Sequence, residues 1–179
     1  MRYFLCGEME KSCCFIGHRN AQETPKLLKA LRDTVLDLIK NKGVETFIFG
    51  SKSRFDDLCL DIVNQIKNEH GQIKLIYFRS QYKYIDQSYR DYLLKSYDDT
   101  LIPERVENAG RASYLERNQA MIDQSDICVF FYDKDYQPPL RKYNKRAMST
   151  YQPKSGTRLA YEYAKRKKKE IINLYDSSK

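Results

Sequence analysis

The sequence has no apolar run long enough to cross a bilayer and no apolar segment of signal-peptide type near its start, which argues against membrane spanning and secretion. Its five cysteines, Cys6, Cys13, Cys14, Cys59 and Cys128, are odd in number and make neither a C-x-x-C pair nor a Cys/His ligand spacing. That argues against a zinc site and for a reducing compartment. The expectation is a cytoplasmic chain with no metal and no cofactor. No internal repeat is visible, so solenoids and propellers are set aside.

What is present is enough apolar residue for one core. At 179 residues and 41% hydrophobic content, the expectation is a single domain over 1–179. The formal charge of +8 suggests an anionic partner, and its placement is uneven. Residues 141–179 hold 12 Lys and Arg against 3 Asp and Glu, which leaves about −1 for everything before them. The excess sits in "RKYNKR" (141–146) and "KRKKK" (165–169).

Five short apolar runs, 12–16, 45–49, 73–78, 127–132 and 170–174, read as strands, most of them apolar on both faces. That pattern suits parallel strands covered above and below by helices. Helical stripes lie between them: Leu27, Leu28, Leu31, Val35, Leu38 and Ile39; then Leu58, Ile62, Val63 and Ile66; then Tyr114, Leu115, Met121 and Ile122; and finally a mostly polar helix over 157–168. The alternation predicts a Rossmann-like three-layer α/β sandwich with a five-stranded, mainly parallel sheet in the order 3-2-1-4-5. A ligand would bind at the carboxyl ends, between the first and fourth strands. Two segments exceed ordinary connections: an insertion over 79–110, with a short helix expected around 89–95, and a basic loop over 133–154 that reads as a lid.

The turns hold the candidate site residues. In "SCCFIGHRNAQETPKLL" (12–28), Thr24 and Pro25 mark a helix start, leaving Gly17 to permit close approach and His18 and Arg19 to supply donors. The second strand ends in "FGSKSRFDDL" (49–58), where Gly50 precedes Ser53 and Asp56 at capping-box spacing. Asp56 reads either as that cap or as an acceptor for ribose hydroxyls. Asn118 falls on the stripe of Leu115 and Ile122 with Arg117 at its edge, and bonds either a neighbouring loop or a ligand. In "PKSGTRLAYEYA" (153–164), Ser155, Gly156 and Thr157 open a helix where free amides favour an anion, with Arg158 beside them.

Together "CCFIGHR", "FGSKSRFDDL", "RNQAMIDQSDICVFFYD" and "SGTRLAYEYA" resemble the SLOG superfamily, which includes the Lonely Guy hydrolases and DNA-processing protein A, and most of all its YpsA-like branch. The resemblance covers 12–174. It implies a nucleotide-binding domain whose ligand meets Gly17, His18, Arg19, Gly50, Asp56, Arg117, Asn118, Ser155, Gly156, Thr157 and Arg158. The branch's Gly-rich turn is replaced here by Ser51, Lys52, Ser53 and Arg54. The hydrolases' early helix glutamate is replaced by Arg158, Leu159 and Ala160, with Glu162 a turn further on. The first expectation is therefore ligand sensing of a nucleotide-derived small molecule, with Tyr132 or a tyrosine of the following loop stacking on the base. The enzyme alternative is N-glycosidic cleavage using Asp56, Asp57 or Glu162, with His18 as acid or base. A third is single-stranded nucleic-acid binding by the basic, tyrosine-bearing C-terminal region. Homodimers are common in the superfamily, and dimerisation is left open.

Overall fold

The computed structural model describes residues 10–51, 53–139 and 154–175. Its centre is strand β1 (Lys11–Gly17), in which five consecutive residues are buried. A strand apolar on both faces has to be covered on both faces, and that sets the architecture. β2 (Val44–Phe49), β3 (Lys74–Phe78), β4 (Asp99–Leu101), β5 (Ile127–Phe131) and β6 (Glu170–Asn173) join it in one sheet of order β4-β3-β2-β1-β5-β6. Every neighbouring pair is parallel. The five expected strands hold the expected order, and the sheet is six-stranded because β4 adds to the outer edge of β3. Three residues with one buried side chain gave no apolar run to read.

Side chains alternate between two cores, as strand pleating requires. On one face Phe15, Phe47 and Phe49 pack with Leu27, Leu31 and Leu38 of α1 (Pro25–Lys40) and with Phe55 and Ile66 of α2 (Arg54–Lys67). α3 (Gln87–Leu93) adds Leu93 to that side, and a single turn α4 (Glu104–Glu107) follows β4. On the other face Cys14, Ile48 and Phe130 meet Met121 and Ile122 of α5 (Ser113–Gln124) and Ala160 and Ala164 of α6 (Gly156–Arg166). Each fully buried Phe or Leu contributes about 1.5–3 kcal/mol relative to exposure.

Parallel strands need a return path, so each crossover helix runs against the strands it connects. The N-termini of α1, α2, α5 and α6 therefore gather at the carboxyl edge of the sheet. α1 starts as expected, with Thr24 Oγ1 accepting from Leu27 N at 3.1 Å and Pro25 in the first turn. Gly43, at φ +68°, turns the chain from α1 into β2. No helix among the described residues is long and apolar enough to cross a membrane. Most of the expected lid lies outside the described residues, which stop at 139 and resume at 154.

Candidate functional site

The densest chemistry lies where β2 ends. A Cβ on Gly50 would come within 2.9 Å of Arg117 Cδ and Nε and 2.6 Å of Met121 Sδ. Glycine is needed here because the Arg117 side chain lies directly on this backbone. Arg117 is only 5% exposed, and its Nε and Nη2 donate to Asn118 Oδ1 at 3.3 and 2.9 Å. Its guanidinium carbon sits 5.4 Å from the ring centroid of Tyr114. Burial works against its charge, while Asp56, Tyr77 and Tyr114 favour it. The sequence reading put Asn118 on the buried stripe and Arg117 at the edge. Met121 and Ile122 of the expected stripe are buried, but the helix also turns Ser113, Arg117 and Ala120 inward, and Asn118 is half-buried.

Asp56 is 3% exposed and meets the same turn from the other side. Its Oδ1 accepts from Ser51 N at 3.3 Å and its Oδ2 lies 2.5 Å from Ser53 Oγ. Ser53 caps α2 by accepting from Asp56 N at 3.2 Å. Half of the expected capping box is present; the returning carboxylate bond goes to Ser51, two residues earlier than the box predicts. Burial pushes the Asp56 carboxyl up to about 6, against the lowering effects of Ser53, Arg117 and Ser51. Asp57 points outward and is exposed.

At the end of β1, Gly17 has no positive φ. A Cβ there would meet the Phe55 ring at 2.4 Å, so the small residue makes room for α2. His18 is buried and its Nε2 accepts from Asp133 N at 3.0 Å. Its ring lies 4.3 Å from that of Tyr136 and 5.9 Å from that of Tyr132. Burial lowers its pKa, and a nitrogen that accepts a backbone N–H must be unprotonated. It therefore fastens the loop after β5 to the loop after β1 through Nε2 as an acceptor, which leaves Nδ1–H as its donor. Arg19 has an exposed side chain, and its carbonyl accepts from Arg54 N at 3.1 Å.

α6 opens as expected, Ser155 Oγ accepting from Arg158 N at 3.2 Å. Gly156 has open space where a Cβ would be, and Thr157 is buried. Arg158 is exposed and its Nε donates to Glu162 at 3.1 Å. Lys154 reaches the same carboxylate at 2.8 Å, and the two cations hold Glu162 below the usual carboxylate range. Among the described residues no group of three or more His, Cys, Asp or Glu forms a metal site.

Sequence reasoning missed Arg79 and Gln81, which follow β3. Arg79 is buried, donates to the carbonyl of Tyr82, and has an Nε without a hydrogen-bond partner. Gln81 Nε2 donates to the Tyr114 hydroxyl at 2.9 Å. The available signal was their position directly after a strand, at the edge where sheets of this kind bind ligands.

This is a doubly wound parallel sheet whose carboxyl edge collects buried charge around a glycine. The family model of the YspA SLOG family matches residues 13–170, and the chain belongs to the SLOG superfamily, in its YpsA-like branch. No curated protein matches the chain. Membership is consistent with a nucleotide-related ligand-binding or processing role.

Proposed function

We propose that this chain binds a nucleotide or nucleotide-derived small molecule, such as an ADP-ribose-like ligand or an NAD fragment, as a ligand-sensing domain. The observation that carries the reading is the convergence of buried Asp56 and Arg117 on Gly50 and Ser51, with attraction but no direct ion pair between them. Buried charges are costly unless matched. A ligand offering hydroxyls to the carboxylate and a phosphate to the guanidinium would match both. Arg19 and the start of α6 at Ser155, Gly156, Thr157 and Arg158 supply further phosphate contacts, and the Asn118 carboxamide orients Arg117. The test is mass spectrometry of small molecules released from freshly purified protein, together with thermal shifts on adding AMP, ADP-ribose or NAD. A nucleotide-derived mass and a raised melting temperature are expected for the native chain and not for Arg117→Met. A native chain that carries no such mass and is stabilised by none of the three ends this reading.

A second reading, N-glycosidic cleavage or transfer, is favoured by Asp56 alone. A buried carboxyl titrating near 6 is the type of group that serves as a proton donor or nucleophile. Glu162 is neutralised by Lys154 and Arg158, and the Nε2 of His18 is engaged by a backbone amide. Incubation with the same nucleotides should release free base from the native chain and none from Asp56→Asn; no release from either leaves sensing alone.

A further inference from the structure

The nucleotide reading places phosphate and ribose at Gly50, Asp56 and Arg117 but leaves the base without a partner. Among the described residues the tyrosines expected to stack on it are already packed, Tyr132 on Tyr161 at 4.5 Å and Tyr136 on His18 at 4.3 Å, and Tyr143 lies outside the described residues. A different part of the molecule has the room. At the carboxyl ends of β3 and β4 a shallow, solvent-open depression of about 460 Å³ lies between the loop after β3 and the start of α5, with a volume in the range of small-molecule sites.

The cavity's chemistry is specific. Ile102 and Val106 offer apolar surface, and Ser80, Gln81 and Ser113 offer hydroxyls and a carboxamide. Its charged lining residues, Lys83 and Glu107, pair with each other, so neither presents an unmatched charge to a ligand. An uncharged, flat ring with donors and acceptors on its edge fits such a lining better than a phosphate or a hydrocarbon does. The wall is held in place from behind: buried Arg79 donates to the Tyr82 carbonyl, and Tyr82 takes φ +59°.

It also adjoins the charged turn. Ser113 and Arg117 are both buried on α5 and four residues apart, which puts them on one face, one turn of roughly 5.4 Å from each other. Gln81, on the opposite wall, bonds to Tyr114, whose ring lies against Arg117. We propose that this cavity is the base subsite: it takes the nucleobase of a ligand whose phosphate and ribose lie at Arg117 and Asp56. The inference rests on the nucleotide reading above.

The experiment compares AMP with ribose 5-phosphate, which keeps the sugar and phosphate and lacks the base, by calorimetry on the full chain. AMP should bind at least about tenfold more tightly, the equivalent of roughly 1.4 kcal/mol. Ser113→Leu narrows the cavity on the side next to Arg117 and should bring AMP toward the affinity of ribose 5-phosphate while leaving the latter unchanged. A second variant guards against misfolding. The chain has no tryptophan, so Tyr82→Trp, at a position 68% exposed, places a single, selectively excitable tryptophan on the cavity wall. AMP should quench it and ribose 5-phosphate should not. Equal binding of the two compounds, an unchanged preference in a folded Ser113→Leu, or no quenching by bound AMP overturns the base subsite and leaves the charged turn standing. Binding of neither compound removes this inference, and the nucleotide reading falls with it when ADP-ribose and NAD also fail to stabilise the native chain.

Discussion

Single residues at the carboxyl edge differ in what they are small or buried for. Gly17 gives way to the Phe55 ring, a rigid neighbour in a packed core. Gly17→Ala should therefore cost about 1–3 kcal/mol of stability, as overpacked cores do, measured by urea denaturation. Gly50 gives way to the flexible Arg117 and Met121 side chains, so Gly50→Ala should cost less stability and more ligand affinity. Asp56 sets a pH dependence. Its folded pKa, about 6, lies above the ordinary 3.8, so between those values the native state binds more protons than the unfolded one. Stability from this group is greatest below pH 4 and falls as pH rises through 6. In Asp56→Asn that fall should be missing. Unfolding free energies of the two proteins from urea denaturation at pH 4, 5, 6 and 7 should show the variant gaining on the native chain by about 2–3 kcal/mol across the range; a constant difference would mean that Asp56 is already ionised at pH 4.

At the scale of elements, α5 decides whether the site reading holds. Asn118 accepts both bonds from Arg117 and is half-buried. Asn118→Leu should keep the fold and release the guanidinium, weakening AMP binding roughly 10- to 100-fold, since a hydrogen bond to a charged group contributes roughly 1.5–3 kcal/mol. Unfolding without any separate loss of affinity would make Asn118 a structural bridge. The same helix shows what could be read in advance. The central strands were legible because "CCFI" and "ICVFF" have no polar face, and the starts of α1 and α6 because Thr24 and Ser155 precede them as caps. The rotation of α5 was not legible. An arginine counts as polar in any periodicity, so a buried Arg117 shifts the apparent stripe toward Asn118. Nor could spacing show that His18 accepts a hydrogen bond, because Asp133, 115 positions away, supplies the donor. β4 was missed because an edge strand of three residues needs only one ladder, and Thr100 is its single buried residue.

For the whole molecule the open question is its lopsided charge, and whether the basic end binds nucleic acid. Among the described residues, the run 165–169 is largely engaged with the protein itself. Lys165 lies 5.0 Å from the ring centroid of Tyr161, Arg166 and Lys167 lie 5.5 and 5.3 Å from that of Tyr163, and Lys167 pairs with Asp123 at 3.1 Å. Lys169 donates to the carbonyls of Ser125 and Asp123 at 2.6 and 3.2 Å. Those carbonyls lie at the end of α5, where helix geometry leaves acceptors unpaired and the dipole favours a cation. Lys169 therefore ties the turn between α6 and β6 to α5, and Tyr161 and Tyr163 already carry the protein's own cations. Two outcomes follow. Lys169→Met should lower stability by about 0.5–1.5 kcal/mol, the value of a hydrogen-bonded cap, while leaving AMP binding unchanged. Labelled oligo-dT should bind only at low ionic strength and lose most of its affinity between 50 and 200 mM salt, as purely phosphate-directed binding does. Sub-micromolar oligo-dT binding that persists at about 150 mM salt would mean that stacking contributes beyond the phosphate contacts, and would favour single-stranded nucleic-acid binding over the proposed small-molecule sensing.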